Sequence, residues 1–197
     1  MNKKIVVGID EAGRGPLAGP VSVGTVIFYN LKVAHAFRGV RDSKKLSAEK
    51  REYWLSVMER EKKLGTIDFA VSLVSAQYID TYGIVKAIQK GIRSNLKKLS
   101  IEPEYQILLD GGLRAPNEFL NQKTIIKGDE KFRVISLASI VAKVHRDRKM
   151  VLCGKKYPKY GFEIHKGYGT LLHRNAIYKY GVSAVHRKSF LKNFVNK

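Results

Sequence analysis

Asp10 and Glu11 sit side by side at the end of an apolar run, Ile5–Ile9, and Gly13, Arg14 and Gly15 follow at once. A run rich in Ile and Val reads as a buried strand. Carboxylates at its end, before a turn where glycine can take positive φ, are placed to hold a hard divalent cation at a sheet edge. Arg14 between two glycines adds a phosphate contact beside that cation. A metal, a phosphate and close backbone approach together point to phosphodiester chemistry. A lone acidic pair is more often a solvated turn, but Pro16, Gly19 and Pro20 add more turn residues than a short hairpin needs.

Asp110 ends a second short apolar run, Tyr105–Leu109. If the two strands are adjacent and parallel, Asp10 and Asp110 meet at the strand ends where α/β sheets bind ligands. Glu11 is harder to place, because neighbours in an ideal strand point to opposite faces. It reaches the same site only if the chain leaves regular geometry there. Asp129 follows Gly128 in a predicted loop. Asp147 competes for a fourth metal-binding role, but it lies between Arg146 and Arg148 on a predicted helix and reads as a salt-bridging residue.

These residues need a scaffold. Residues 20–29 read as a strand paired to the first through the Gly/Pro turn. Ser47 is placed to cap a helix over Ala48–Lys63 that Gly65 ends. Thr66–Val74 reads as a third strand. Val85, Ile88, Ile92, Leu96 and Leu99 follow a helical period, so Ile79–Leu99 is predicted as an amphipathic helix. Tyr105–Leu109 and Lys123–Ile126 supply the fourth and fifth strands. Val134–Cys153 reads as a long helix whose small residues Ala138, Ser139 and Ala142 permit close packing. After Pro158 the chain reads as helices with loops. The pattern gives an α/β fold: a mixed central sheet of about five strands flanked by helices.

The 197 residues carry a formal charge of +20, and residues 143–197 hold 14 Lys and Arg against 2 Asp and Glu, a net +12. A basic block of this density attracts a polyanion such as nucleic acid, although a solvated surface has the same composition. Tyr157, Tyr160, Tyr168, Tyr178 and Tyr180 are interleaved with these charges, a pattern suited to stacking on sugars or bases. Some of them are expected in the core instead. No apolar stretch approaches a membrane span. The opening MNKKIVVGID reads as a first strand rather than a signal peptide, and a cytoplasmic location is expected. Cys153 is the single cysteine, so no internal disulfide is available.

The string GIDEAGRGPLAGPV at residues 8–21 resembles the signature of the type 2 ribonucleases H, the bacterial ribonuclease HII family. DSKKL at Asp42–Leu46, LLDGG at Leu108–Gly112 and IKGDEKF at Ile126–Phe132 resemble further family segments. So do ASIVAKVHRDR at Ala138–Arg148, YPKYGFEIHKGYGT at Tyr157–Thr170 and HRKSF at His186–Phe190. They occur in family order over nearly the whole chain. Ala184 departs from the pattern, standing where a proline often precedes HRKSF.

The resemblance implies a ribonuclease H-like catalytic core over residues 1–154 and a basic, substrate-binding helical region over 155–197. It implies that Asp10, Glu11, Asp110 and Asp129 are catalytic and bind Mg²⁺ or Mn²⁺, with two ions about 4 Å apart when substrate is bound. The implied substrates are RNA–DNA hybrids and duplex DNA with an embedded ribonucleotide, cut 5′ to the ribonucleotide as in ribonucleotide excision repair. It assigns the sensing of the 2′-hydroxyl to Gly13, Arg14 and Gly15, and stacking on the next deoxyribose to Tyr168. Lys44, Lys143 and Arg146 are candidate phosphate contacts. His165 and His173 lie near Tyr168 and are placed to help position it, while none of the five histidines shows metal-ligand spacing. Ser189–Phe194 bears a faint likeness to a sliding-clamp binding peptide without its glutamine, and an ordinary terminal helix fits it better. Nothing requires more than a monomer. Two other readings remain: a junction-cutting nuclease on the same fold, and a basic binding module whose carboxylates are structural.

Overall fold

The computed structural model describes residues 5–40 and 46–191. Its strands are β1 (Val6–Ala12), β2 (Val21–Phe28), β3 (Ile67–Val74), β4 (Gln106–Asp110) and β5 (Gln122–Ile125), in the order β3-β2-β1-β4-β5. β1, β2 and β3 form an antiparallel meander, and β4 and β5 join β1 in parallel. The expected mixed five-stranded sheet is present.

The helices are α1 (Ala48–Lys63), α2 (Ala76–Lys98), α3 (Gly128–Lys131), α4 (Arg133–Lys156), α5 (Phe162–His165), α6 (Leu171–Tyr180) and α7 (Lys188–Leu191). Ser47 caps α1 as expected, its hydroxyl accepting from the Lys50 amide. α2 starts three residues earlier than its periodicity suggests, capped by Ser75, and is kinked at Gly83 (φ 81°). The kink breaks the phase of the apolar stripe, so Val85, expected on the buried face, is exposed. A 3-10 helix over Leu31–Phe37, capped by Asn30, was not foreseen. α4 runs past the expected helix end at Cys153 to Lys156.

Alternation along β1 divides the core. Val6 packs with α4, whereas Val7 and Ile9 pack with α2. Both faces of β2 are covered, so all eight of its residues are buried. α4 lies unusually close to the sheet. A Cβ on Gly8 would stand 2.4 Å from the Val134 carbonyl, and one on Gly24 would stand 2.1 Å from that of Ala138. Gly8 of β1, facing Val134 and Ile135, and Gly24 of β2, facing Ala138 and Ala142, therefore let the helix lie against both strands.

The C-terminal helices pack around a smaller cluster of Met150, Cys153, Tyr160, Phe162, Ala176 and Ala18. A bridge between Ala18 and His186 ties this region to the segment after β1. Among the described residues no helix is long and apolar enough to cross a membrane.

Candidate active site

β1 and β4 pair in parallel up to Ile9 and Leu109, so Asp10 and Asp110 leave adjacent strands side by side. Asp10 is 3% exposed. Burial, then the neighbouring Glu11 charge, raise its carboxyl to about 8, against the pull of hydrogen bonds from the Ser139 hydroxyl and the Glu11 amide. Lys143, one turn along α4, donates to Ser139 at 3.3 Å and stands one hydroxyl away from Asp10. Asp110 accepts from the Gly128 amide at 2.6 Å, which fixes the turn leading into α3.

Glu11 lies within the strand rather than after it, because β2 keeps pairing as far as Ala12. Its carboxyl is also raised, first by burial; Arg14 at 3.2 Å opposes this and Asp110 adds to it. Asp10, Glu11 and Asp110 thus act on one another despite the strand alternation. Asp129 is buried on α3, next to the Gly128 whose amide bonds to Asp110, and also lines a cleft of about 470 Å³ with Val6, Phe28 and Val134.

The donor set passes one test for a metal and sets a condition on it. Asp10 and Glu11, whose burial and neighbouring charges disfavour ionisation, suit a hard divalent cation with Asp110 beside them. Among the described residues, however, no three acidic, His or Cys side chains converge on one point. The site therefore fits an ion that keeps several waters and gains ligands from the substrate, as Mg²⁺ does, rather than a closed cage.

Beside the acids runs a groove of about 600 Å³ lined by Glu11, Gly13–Gly15, Lys143, Lys166 and Tyr168, among others. Gly13 and Gly15 serve different needs. A Cβ on Gly13 (φ +86°) would fall 1.9 Å from Arg146 Nε, so that position is fixed from inside the protein. A Cβ on Gly15 would meet nothing within 4 Å, which leaves the backbone open to the groove.

The expectation for Arg146 needs correction. It is 2% exposed and donates to the carbonyls of Pro20, Ala18 and Lys166, so it is no free phosphate contact. Its guanidinium lies 5.7 Å from the centre of the half-exposed Tyr168 ring and supports that ring from below. Arg187 is its counterpart, holding the carbonyls of Gly19, Arg14 and Gly13 at 2.7–3.0 Å. Burial, then Arg146, bring the Arg187 guanidinium down to about 9. Two buried cations under the turn, held by carbonyls, still make the groove floor positive.

Asp147 does form a salt bridge, but to Arg51 of α1 at 3.6 Å; its neighbour Arg148 pairs with Glu52. Of the interleaved tyrosines, Tyr160 is buried in the C-terminal core. Lys44 lies outside the described residues. Ser139 and Arg187 were missed as site residues. The signal for Ser139 was its place one turn before Lys143 on the small-residue face of α4. Arg187 had only the HR pair within a segment noted for its resemblance.

A mixed sheet in this order, with carboxylates where the β1–β4 pairing ends, defines a ribonuclease H-like α/β nuclease. The chain belongs to the ribonuclease HII family, whose profile matches residues 7–193. The ribonuclease HII of Caldicellulosiruptor bescii is 44% identical over 98% of this chain and 89% of its own length. Among solved structures, the ribonuclease HII from Archaeoglobus fulgidus in complex with PCNA superposes with a TM-score of 0.72 at 25% identity, covering 93% of each chain. Bst-RNase HIII in complex with Mn²⁺ shares the fold, with a TM-score of 0.70 at 15% identity over 96% of this chain and 65% of that one. The protein is accordingly an endoribonuclease of the type 2 ribonuclease H class, a family dependent on divalent metal ions.

Proposed function

We propose that this enzyme hydrolyses the phosphodiester 5′ to a ribonucleotide, in RNA–DNA hybrids and at single ribonucleotides embedded in duplex DNA. The products carry a 3′-hydroxyl and a 5′-phosphate. The observation that carries this reading is the single groove that joins Glu11 of the acidic cluster to the Gly13–Gly15 turn and Tyr168. A cutting site and a sugar-sensing site thus lie along one bound strand.

Asp10, Glu11, Asp110 and Asp129 would hold Mg²⁺ or Mn²⁺. When bound, two such ions supply an activated water and neutralise charge on the leaving oxygen. The chain's own residues do the rest. Arg14 and Lys143 hold the backbone phosphates, and Lys143 stabilises ionised Asp10 through Ser139. The exposed backbone at Gly15 approaches the 2′-hydroxyl, the group that separates RNA from DNA. Tyr168 stacks on the following deoxyribose. The basic C-terminal region, residues 155–197, grips the duplex without reading its sequence. Such an enzyme serves ribonucleotide excision repair in the cytoplasm and needs no second subunit. In the terminal segment suggestive of clamp binding, half-buried Phe190 packs against Leu17, Ile177 and Leu191, and 192–197 lie outside the described residues; clamp contact is a minor part of this reading.

The test is metal-dependent cleavage of a duplex with one ribonucleotide, with its ends mapped, beside an all-DNA duplex and a four-way junction. Cutting only 5′ to the ribonucleotide is expected. Cutting of the junction at a comparable rate would replace this reading with that of a resolvase.

A further inference from the structure

Around Phe162 three histidines are packed together in the C-terminal region: His165, His173 and His186, respectively 8%, 0% and 2% exposed. The His165 and His173 rings stack at 4.3 Å, and Phe162 lies against all three. Six ring nitrogens have identifiable partners, and those partners leave one arrangement of protons.

A backbone N–H can only donate and a carbonyl can only accept. The Gly167 amide donates to His165 Nδ1 at 3.1 Å, so the His165 proton sits on Nε2 and is donated to the Tyr160 carbonyl at 2.7 Å. The Ser183 amide donates to His186 Nδ1 at 2.8 Å, which puts the His186 proton on Nε2. That nitrogen faces His173 Nε2 at 3.1 Å, so His173 accepts there and carries its own proton on Nδ1. His173 Nδ1 then donates to the Tyr168 carbonyl at 2.9 Å. A directed chain therefore runs from the Ser183 amide through two imidazoles to the backbone of Tyr168. Burial, reinforced by the neighbouring imidazoles, brings both His173 and His186 down to about 4, which keeps the chain neutral near pH 7.

The two ends of this chain meet both halves of the proposed reader. One end is the Tyr168 carbonyl, in a loop with left-handed backbone at Lys166 and Gly167. That loop is seated on Leu17 and Ala18, whose amides donate to the Gly167 carbonyl. At the other end, His186 pairs with Ala18 and immediately precedes Arg187, which holds the carbonyls of Gly13 and Arg14.

We propose that His173 and His186 are positioning residues: with fixed tautomers they hold the Tyr168 loop in register with the Gly13–Gly15 turn, and so set discrimination of the RNA-to-DNA step. The inference rests on the sugar-reading role proposed for Tyr168, and His165 supports it by holding the other side of the loop.

Two measurements test it. In ¹⁵N NMR of the uniformly labelled wild-type protein near pH 7, His173 should be protonated on Nδ1, and His165 and His186 on Nε2. The opposite tautomer at His173 or His186 overturns the proposal whatever the enzyme's selectivity. The second measurement is the ratio of cleavage of a single embedded ribonucleotide to cleavage of a continuous hybrid, at matched metal and salt. H173N keeps an amide donor near the Nδ1 position and should retain most of the ratio. H173Q places its amide near Nε2 and should lower the ratio about fivefold, the equivalent of one net hydrogen bond. Equal losses in the two variants, or losses equal on both substrates, reduce His173 to a packing residue and overturn the relay. Tyr168→Ala serves as the reference. An unchanged ratio in that variant sinks the sugar-reading role itself and the relay's function with it, whereas a lowered ratio with both His173 variants unaffected overturns the relay alone.

Discussion

At the ends of β1 and β4, Asp10, Glu11 and Asp110 crowd together with the half-exposed Arg14 beside them, and the Asp10 and Glu11 carboxyls are pushed up. Under the Gly13–Gly15 turn, a few residues further along the chain, Arg146 and Arg187 hold six backbone carbonyls between them. The first region keeps a charge imbalance that burial makes worse. The second satisfies its buried polar groups from within the chain. An arriving cation relieves the first, so its electrostatics change during the reaction. The second finds its partners within the chain and, under the proposed function, serves as a fixed gauge for the sugar. Under that proposal, reactivity and selectivity are supported by neighbouring regions with opposite electrostatic construction.

The sharpest way to break this contrast is Asp110→Asn. The substitution keeps the shape and the bond from Gly128 but removes a charge from the acidic cluster. Cleavage should fall about a thousandfold or more, since several kcal/mol of charge stabilisation are at stake. Binding of a hybrid should be nearly unchanged. Near-normal cleavage with Mg²⁺ would remove Asp110 from the reactive region.

Arg187→Ala attacks the other side of the comparison. It leaves the Gly13, Arg14 and Gly19 carbonyls buried without their donor, each worth about 1–3 kcal/mol. A net loss of about 3 kcal/mol is expected in denaturant unfolding, with no change in metal affinity among molecules that remain folded. A loss below about 0.5 kcal/mol, the size of an ordinary surface substitution, would show that the turn holds itself.

The two regions also differed in how far the sequence revealed them. The apolar runs ending at Asp10 and Asp110, and the small residues of α4, are local signals tied to residue type and period. From them the sheet, the close helix and the paired carboxylates could be anticipated. Arg146 and Arg187 were opaque because their partners are carbonyls more than a hundred residues away for most of the bonds, and a carbonyl has no residue type to read. Gly13 looked like a concession to the ligand, yet Arg146 packs beneath it. Asp129 was recognisable by resemblance, but its placement depends on the short α3 turn, for which the periodic pattern carried no signal. The histidine chain was invisible for a related reason. His165 and His173 were noted near Tyr168, but the link through His186 depends on tertiary packing.

Proton linkage sharpens the comparison with a smaller effect. Asp10 has its carboxyl raised from 3.8 to about 8. Between those values the folded protein binds more protons at this group than the unfolded chain, so Asp10 subtracts stability as pH rises through the window. A metal binds the carboxylate form and must displace the proton. Mg²⁺ binding near pH 7 should therefore release up to about one proton, fading above the raised value. Calorimetry in two buffers of different ionisation enthalpy measures it. Identical apparent heats in the two buffers would show that the acidic cluster is already ionised, and would erase the imbalance on which the contrast rests.

The smallest expected effect separates the gauge from the general grip on nucleic acid. Lys166 lines the groove, and its neighbour in the basic block, exposed Lys155, is at the far end of α4 and does not line it. Removing one phosphate-binding cation should lower the slope of log affinity against log salt by about 0.9 on a B-form duplex. Lys166→Gln is expected to approach that change, on plain DNA and on a duplex with one ribonucleotide alike, because phosphate contacts carry no sugar information. Lys155→Gln should alter the slope by much less, its charge acting at a distance through screened solvent. The cleavage ratio between single-ribonucleotide and hybrid substrates should stay fixed in both variants. A fall in that ratio in Lys166→Gln would show that the side chain, and not only its carbonyl bonded to Arg146, belongs to the sugar gauge. An unchanged salt slope in both variants would instead leave the basic block as a solvated surface.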